Sequence, residues 1–430
     1  MDRTRGNDNN SSAAITLEFQ RVLQWLSEFT LSAPGREQAL ALSAFPSRER
    51  LSEELRRVTE ARTLLSYEEA FPFQGFDDLS SLLHQAAKAG AYLFPDQFLS
   101  LLNFLMMIHK TAAFMAGLEE RYPLLRALTG RITPIGSLEK AIARIIDRDG
   151  IVKDGASKEL AVLRHRITSL ENDIEKKLRG FMAQAVRNGW AQEDSLAVRQ
   201  GRPVIPLQES RRNQIKGLVL DQSASGSTVY LEPLEVVELR NRLFQTRQEE
   251  SREIERLLRE LTDLMRPDLP VLEENYRAAL DLDLVLAKGK FSLQINGEPA
   301  EIPEEQILDI REGRHPLLLR RMGRERVIPL DLQLGGEVRT LIITGPNAGG
   351  KTVALKTAGL LSLMQAHGLH LPVGPGTSVP LFSSVFADIG DRQSIEQDLS
   401  TFSSHIESIK EILNRVNDHS LVLLDEIGSA

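Results

Sequence analysis

The eight residues Gly345-Pro346-Asn347-Ala348-Gly349-Gly350-Lys351-Thr352 satisfy the pattern G-x-x-x-x-G-K-[ST]. Glycines at those positions let the backbone curl so that successive N–H groups face phosphate oxygens. A helix start just beyond adds partial positive charge. In such a loop Lys351 reaches the β- and γ-phosphates and the Thr352 hydroxyl ligates magnesium, so the expected ligand is ATP with Mg2+. The apolar segment Thr340-Leu341-Ile342-Ile343 precedes the loop and a helix-forming stretch, Val353 to Met364, follows it. A chance glycine-rich turn would lack those two flanks.

A second group lies downstream, where the apolar run Leu421-Val422-Leu423-Leu424 ends in Asp425-Glu426. A carboxylate at the end of a neighbouring strand can hold magnesium, which assigns Asp425 to the metal. The adjacent Glu426 can orient or deprotonate an attacking water. Between the two groups stands Asp398-Leu399-Ser400-Thr401-Phe402-Ser403-Ser404. A Ser/Thr cluster ahead of a helix is an ordinary N-cap, and it can also offer hydroxyl and backbone donors to a phosphate.

The elements that must hold these groups are legible as changes of period. From about Ile15 to Ile146 apolar residues recur at helical spacing, as in Leu17, Val22, Leu23 and Leu26, with Pro34-Gly35 and Phe94-Pro95-Asp96 as turns. The run Phe104 to Ile108 is apolar nearly all round its helix and reads as packed core. From Asp154 a heptad-like seam begins: Leu160, Leu163, Ile167, Leu170, Ile174 and Leu178. Leu243, Ile254, Leu257, Leu261 and Leu264 continue it later, interrupted by Arg247 and Glu250. Two helices of roughly 25 residues would each run about 40 Å.

Between those helices the pattern is β-like: Leu196 to Arg199 and Pro203 to Leu207 flank Gln200-Gly201, and Ile215 to Leu220 and Thr228 to Leu231 flank Ser223 to Gly226. From Ser195 to Lys216 the charges are Arg199, Arg202, Arg211, Arg212 and Lys216 against Glu209 alone. On a chain of net charge −8 this segment is the clearest candidate for phosphate contact with nucleic acid, against the plainer reading of a solvated face. From roughly Ile302 short apolar strands return, Val327 to Leu330, Thr340 to Ile343 and Leu421 to Leu424, as in an α/β sheet buried on both faces.

With 430 residues the chain has room for several domains. It contains no cysteine, which excludes disulfides, thiolate metal sites and a thiol nucleophile and fits a reducing cytoplasm. The polar first fifteen residues carry no apolar signal-peptide core. No unbroken run of eighteen apolar residues occurs, so no membrane span is expected.

Taken together, GPNAGGKT, DIGDRQSIEQDLSTFSSH and LVLLDEIG resemble the MutS family, specifically its second bacterial branch. Arg314-His315-Pro316-Leu317-Leu318 is similar to the short motif that opens the MutS ATPase domain. Val204 to Leu207 through Asp221 to Thr228 is similar to that branch's clamp. The resemblance covers the chain after its first fifteen residues. It implies a multidomain protein: an α-helical core with long lever helices and a small β-rich clamp, followed by an α/β P-loop ATPase domain of ABC/MutS type. The implied boundaries are a disordered 1–15, core 16–153, lever 154–194, clamp 195–233, return lever 234–265, connector 266–301 and ATPase domain 302–430. That domain is expected to be incomplete, cut after Asp425-Glu426. The resemblance further implies a homodimer through the ATPase domain, Ser400 reaching the γ-phosphate held by the opposite subunit, and branched or recombining DNA, or the ribosomal RNA of stalled ribosomes, as the object gripped.

The departures also carry expectations. No Phe is followed two residues later by Glu, so the Phe-x-Glu wedge of mismatch readers is missing and mismatch recognition is not expected. The branch's C-terminal Smr nuclease domain has no counterpart in the sequence. His367, His370, His405 and His419 precede the family's switch-histidine position, so none fills it. Two other readings stand beside this one. A coiled-coil ATPase of the SMC kind would carry its P-loop near the N-terminus, not at Gly345. A scaffold that binds nucleotide without hydrolysis would tolerate losses at Lys351, Thr352, Asp425 or Glu426, and all four are present.

Overall fold

The structure, a computed structural model, describes residues 7–118, 121–346, 350–389 and 398–425, with the backbone alone at 7–11 and 398–405. Helices α1 (Asn7–Thr16), α2 (Phe19–Ser27), α3 (Ala33–Leu40), α4 (Arg48–Tyr67), α5 (Ser80–Ala87), α6 (Pro95–Gly117), α7 (Pro123–Thr129), α8 (Gly136–Ile145) and α9 (Lys158–Arg187) come first. Strands β1 (Ala197–Arg199), β2 (Arg202–Gln208), β3 (Gly217–Gln222) and β4 (Thr228–Pro233) follow, then α10 (Leu234–Met265) and α11 (Leu269–Ile295). The last part alternates: β5 (Leu308–Gly313), α12 (Pro316–Met322), β6 (Leu330–Leu334), α13 (Lys351–Ala366), β7 (Ser384–Asp388), α14 (Asp398–Arg415) and β8 (Ser420–Leu424). Packing divides the chain into two compact units: Met1–Leu79, Asn103–Pro134 and Pro270–Ala430 form one, and Ser80–Leu102 with Ile135–Leu269 the other.

In the second unit α9 and α10, of 30 and 32 residues, lie antiparallel. Leu160, Leu163, Leu170, Ile174 and Leu178 are buried along the seam, each contributing about 1.5–3 kcal/mol when fully removed from water. Ser157 starts α9: its hydroxyl accepts from the Leu160 amide at 3.0 Å and donates to Glu253 of α10 at 2.6 Å. The two charges that interrupt the seam sit across from partners, Arg247 on Glu171 at 2.6 Å and Glu250 on Arg164 at 2.8 Å. Leu264 departs from the expected seam and is 55% exposed, while Leu258 and Met265 are buried. A straight helix drifts about 20° per heptad, and this end of α10 also packs on α5 and α8, so a different stripe turns inward.

The far end of the helix pair carries an antiparallel sheet in the order β1-β2-β4-β3. Gln200 (φ 50°) and Gly201 (φ 71°) both take positive φ, which suits a tight two-residue hairpin between β1 and β2. Ile205, Leu207, Val229 and Leu231 pack on Ile174, Leu178 and Met182 of α9.

In the first unit α2, α11 and α13 share one core with Leu308, Ile310, Val385, Leu421 and Leu423. Two glycines allow helices to approach their neighbours closely. A Cβ at Gly289 of α11 would lie 3.0 Å from Ala61 of α4, and one at Gly359 of α13 would lie 2.5 Å from Leu423 of β8. β7 and β8 are parallel, with Asp388 opposite Leu424.

Several expectations need correction. Residues 7–15, placed in a disordered N-terminus, belong to α1, whose Ala13 and Ala14 are buried with Leu17 beside β7. Two alanines among polar residues give too weak an apolar signal to read. Thr340 to Ile343 form no strand, and Ile342 is 80% exposed. A strand buried on both faces needs hydrogen-bonded neighbours, and among the described residues none pairs with this segment. Of Val327 to Leu330 only Leu330 enters a strand: Pro329 cannot donate to a ladder and Ile328 is 89% exposed. β6 pairs antiparallel with β5, and β8 buries alternate residues instead of both faces. α6 is long and apolar enough, by length and composition, to cross a membrane. Its Phe98, Leu101, Phe104, Leu105 and Ile108 are buried, whereas Met106 is not, so the run is apolar but one-sided.

Candidate functional site

α13 begins because Gly350 takes the left-handed conformation (φ 83°) and reverses the chain into the helix. Its buried side, through Gly359, rests on β8. Because β7 and β8 are parallel, their carboxyl ends emerge together beside the start of α13. The Asp425 amide donates to the Asp388 carbonyl at 3.0 Å, which holds the two strand ends side by side. There the Thr352 hydroxyl donates to the Asp425 carboxylate at 2.6 Å, across 73 residues of sequence. Lys351 Nζ donates to the Gly345 carbonyl at 2.7 Å, across the mouth of the loop.

Thus Gly345, Lys351, Thr352 and Asp425 come together, with Pro346 next to Gly345 and Gly350 next to Lys351 in the chain. Asn347, Ala348, Gly349 and Glu426 lie outside the described residues. Ser400 is in α14, and its side chain also lies outside them. The Ser/Thr cluster expected ahead of a helix falls within the first turns of α14, a correction that follows from Asp398 being already helical.

A cleft of about 740 Å³ opens beside Thr352, between α2, α12 and α13. Arg21, His315, Leu317, Arg321, Val353 and Lys356 line it. His315 is 7% exposed and its Nδ1 has no hydrogen-bond partner among the described residues. Burial pushes its pKa down to about 4, against the pull of Glu18, so the imidazole is neutral at pH 7. Lys356 reaches Glu18 at 3.3 Å, and Arg320 reaches Glu28 at 2.9 Å. Sequence reading had singled out His315 and Leu317 but not Arg21, Arg321 or Lys356, which no local pattern links. Among the described residues no cluster of three or more His, Asp or Glu forms a metal cage.

The sheet of the second unit sorts the five basic residues differently from their spacing. Arg199 lies 3.1 Å from Asp221 and covers the Tyr230 ring at 3.7 Å. Arg212 pairs with Glu209 at 2.8 Å. Arg202 lies 3.6 Å from Glu232, a fully buried carboxylate that also meets Arg240. Arg211 and Lys216 are exposed, with no ion pair among the described residues. Strand pairing therefore sets two of the five basic residues, Arg199 and Arg202, against acids from beyond the segment, and leaves part of its charge excess in place.

Residues 341–430 match the family described as MutS domain V. The chain is 38% identical over 420 residues to a protein named Endonuclease MutS2 from Pelotomaculum thermopropionicum, covering 98% of this chain and 53% of that protein. A protein of the same name from Symbiobacterium thermophilum is 39% identical over 414 residues, 96% of this chain and 51% of its own length. Another from Alkaliphilus oremlandii is 36% identical over 422 residues, 98% and 53% of the two chains. Over nearly its whole length the chain is similar to these MutS2 proteins. It spans about half the length of the curated relatives it matches. The match to MutS domain V begins in the segment leading to the loop and takes in Gly345 to Thr352, Ser400, Asp425 and Glu426.

Proposed function

We propose that this chain binds magnesium-ATP at the start of α13 and belongs to an ATP-hydrolysing clamp on nucleic acid. The observation that carries the reading is the Thr352–Asp425 contact of 2.6 Å at the carboxyl ends of two parallel strands. Open α/β sheets bind ligands at that edge. The residues fit the group: a hydroxyl and a carboxylate are hard oxygen donors of the kind magnesium takes, and the N-terminus of α13 favours an anion. Bound there, magnesium would neutralise phosphate charge.

Lys351 would exchange the Gly345 carbonyl for phosphate oxygens, and the loop amides from Asn347 to Gly350 would orient them. Glu426 would take the proton of the attacking water, and Ser400 would reach the nucleotide of a second copy in a homodimer. The cleft lined by His315 and Val353 has room for the nucleoside. Positioning dominates phosphoryl transfer, so a site not closed by its partner keeps more affinity than rate.

The nucleic-acid part rests on the sheet beyond α9 and α10, where Arg211 and Lys216 remain for phosphates. DNA or ribosomal RNA would be gripped there. The relatives are named endonucleases, and that chemistry is not assigned to any residue described above. Calorimetry of ATP binding with and without Mg2+ tests the reading. Saturable binding that tightens with Mg2+ is expected, and no binding in either condition would sink it.

A further inference from the structure

The end of α13 opposite Lys351 and Thr352 is held by a buried ionic network that nucleotide chemistry does not use. Lys288 of α11 is 1% exposed and its Nζ meets the Glu54 carboxylate of α4 at 2.6 Å. The same ammonium donates to the His367 carbonyl, just past the last turn of α13, at 3.3 Å. It also lies 5.4 Å from the Phe45 ring, while the Phe45 amide donates to the Ala366 carbonyl at 2.8 Å. Arg57 completes the charge on Glu54 at 2.7 Å. Just beyond the turn, His370 joins the same helices. The Leu55 carbonyl can only accept, so His370 Nε2 carries the proton toward it at 3.2 Å and Nδ1 accepts from Ser292 of α11 at 2.8 Å.

A buried ion pair rarely adds stability over apolar residues of similar size, so its presence calls for another explanation. A cation at a helix C-terminus satisfies carbonyls that the helix leaves open. We propose that Lys288 and Glu54 are positioning residues for α13, fixing its C-terminus against α4 and α11 so that Lys351 and Thr352 are held in place about 24 Å away at the other end. This inference rests on the nucleotide-binding reading of Lys351 and Thr352.

The test is the double variant Glu54→Leu/Lys288→Met, which removes both charges and keeps the volume, beside the single Lys288→Met. The double variant is expected to keep the wild-type melting temperature within a few degrees. Its amide hydrogen exchange from Ala354 to Gln365 should speed up while α9 and α10 are unchanged, and ATP affinity should weaken roughly three- to thirtyfold. Wild-type exchange in that helix, or faster exchange with unchanged ATP affinity, overturns the proposal. A wild-type chain that binds no ATP overturns the nucleotide reading instead, and the exchange result alone then decides whether the pair holds α13.

Discussion

The Thr352 hydroxyl donates to the Asp425 carboxylate at 2.6 Å, so the two oxygens proposed for magnesium already face each other across the start of α13. Asp425→Asn keeps the shape and removes the charge. We expect it to leave metal-free ATP binding within about twofold and to abolish the tightening by Mg2+, because a carboxylate and not an amide attracts the ion. Calorimetry at two Mg2+ concentrations reads this, and an unchanged Mg2+ effect would assign the metal elsewhere.

Lys351→Ala removes a charged partner from the phosphates. A loss of roughly 1.5–3 kcal/mol, or about ten- to a hundredfold in ATP affinity, is expected. Near-normal affinity by calorimetry would remove Gly345 to Thr352 from the nucleotide site.

The arginines of the sheet separate by their partners. Arg211→Ala and Lys216→Ala should each lower the salt slope of nucleic-acid binding by up to about 0.9, equally for all sequences. Arg240→Ala should act on stability, since among the described residues it leaves the buried Glu232 with only Arg202 at 3.6 Å, and breaking a buried pair costs about 3–5 kcal/mol. A filter-binding salt titration and thermal melts measure the two effects. Equal slopes for wild type and the Arg211/Lys216 variants would take this surface out of the nucleic-acid contact.

Acid should weaken the first unit through its histidines. Burial holds His315, His367 and His370 down to about 4 from the ordinary 6.5. The folded state therefore binds fewer protons than the unfolded chain between those values, and stability falls as pH falls from about 6.5 toward 4. Each histidine accounts for roughly 3 kcal/mol over that window. His367→Gln, which removes one titrating group, should flatten the decline in denaturant midpoint between pH 6.5 and 4.5. The same slope in wild type and variant would show that His367 is not buried as a neutral base.

How much of this was legible in the chain differs from element to element. The heptad spacing from Leu160 to Leu178 marked α9 because a helix repeats its neighbours every few residues, and Gln200-Gly201 marked a hairpin because the turn is built from those residues alone. Gly345 to Thr352 and Asp425 were nameable as phosphate and metal groups because their chemistry lies in residue type and local spacing. Only the tertiary structure set Thr352 against Asp425, and Arg199, Arg202 and Arg212 against Asp221, Glu232 and Glu209. Strand register decided the pairs that involve Asp221 and Glu232, and a charge count along the chain carries no register. The same limit explains Ile342 and Leu264: apolar residue type and period mark a surface that needs cover, but which neighbour covers it, or whether one does, depends on elements distant in sequence.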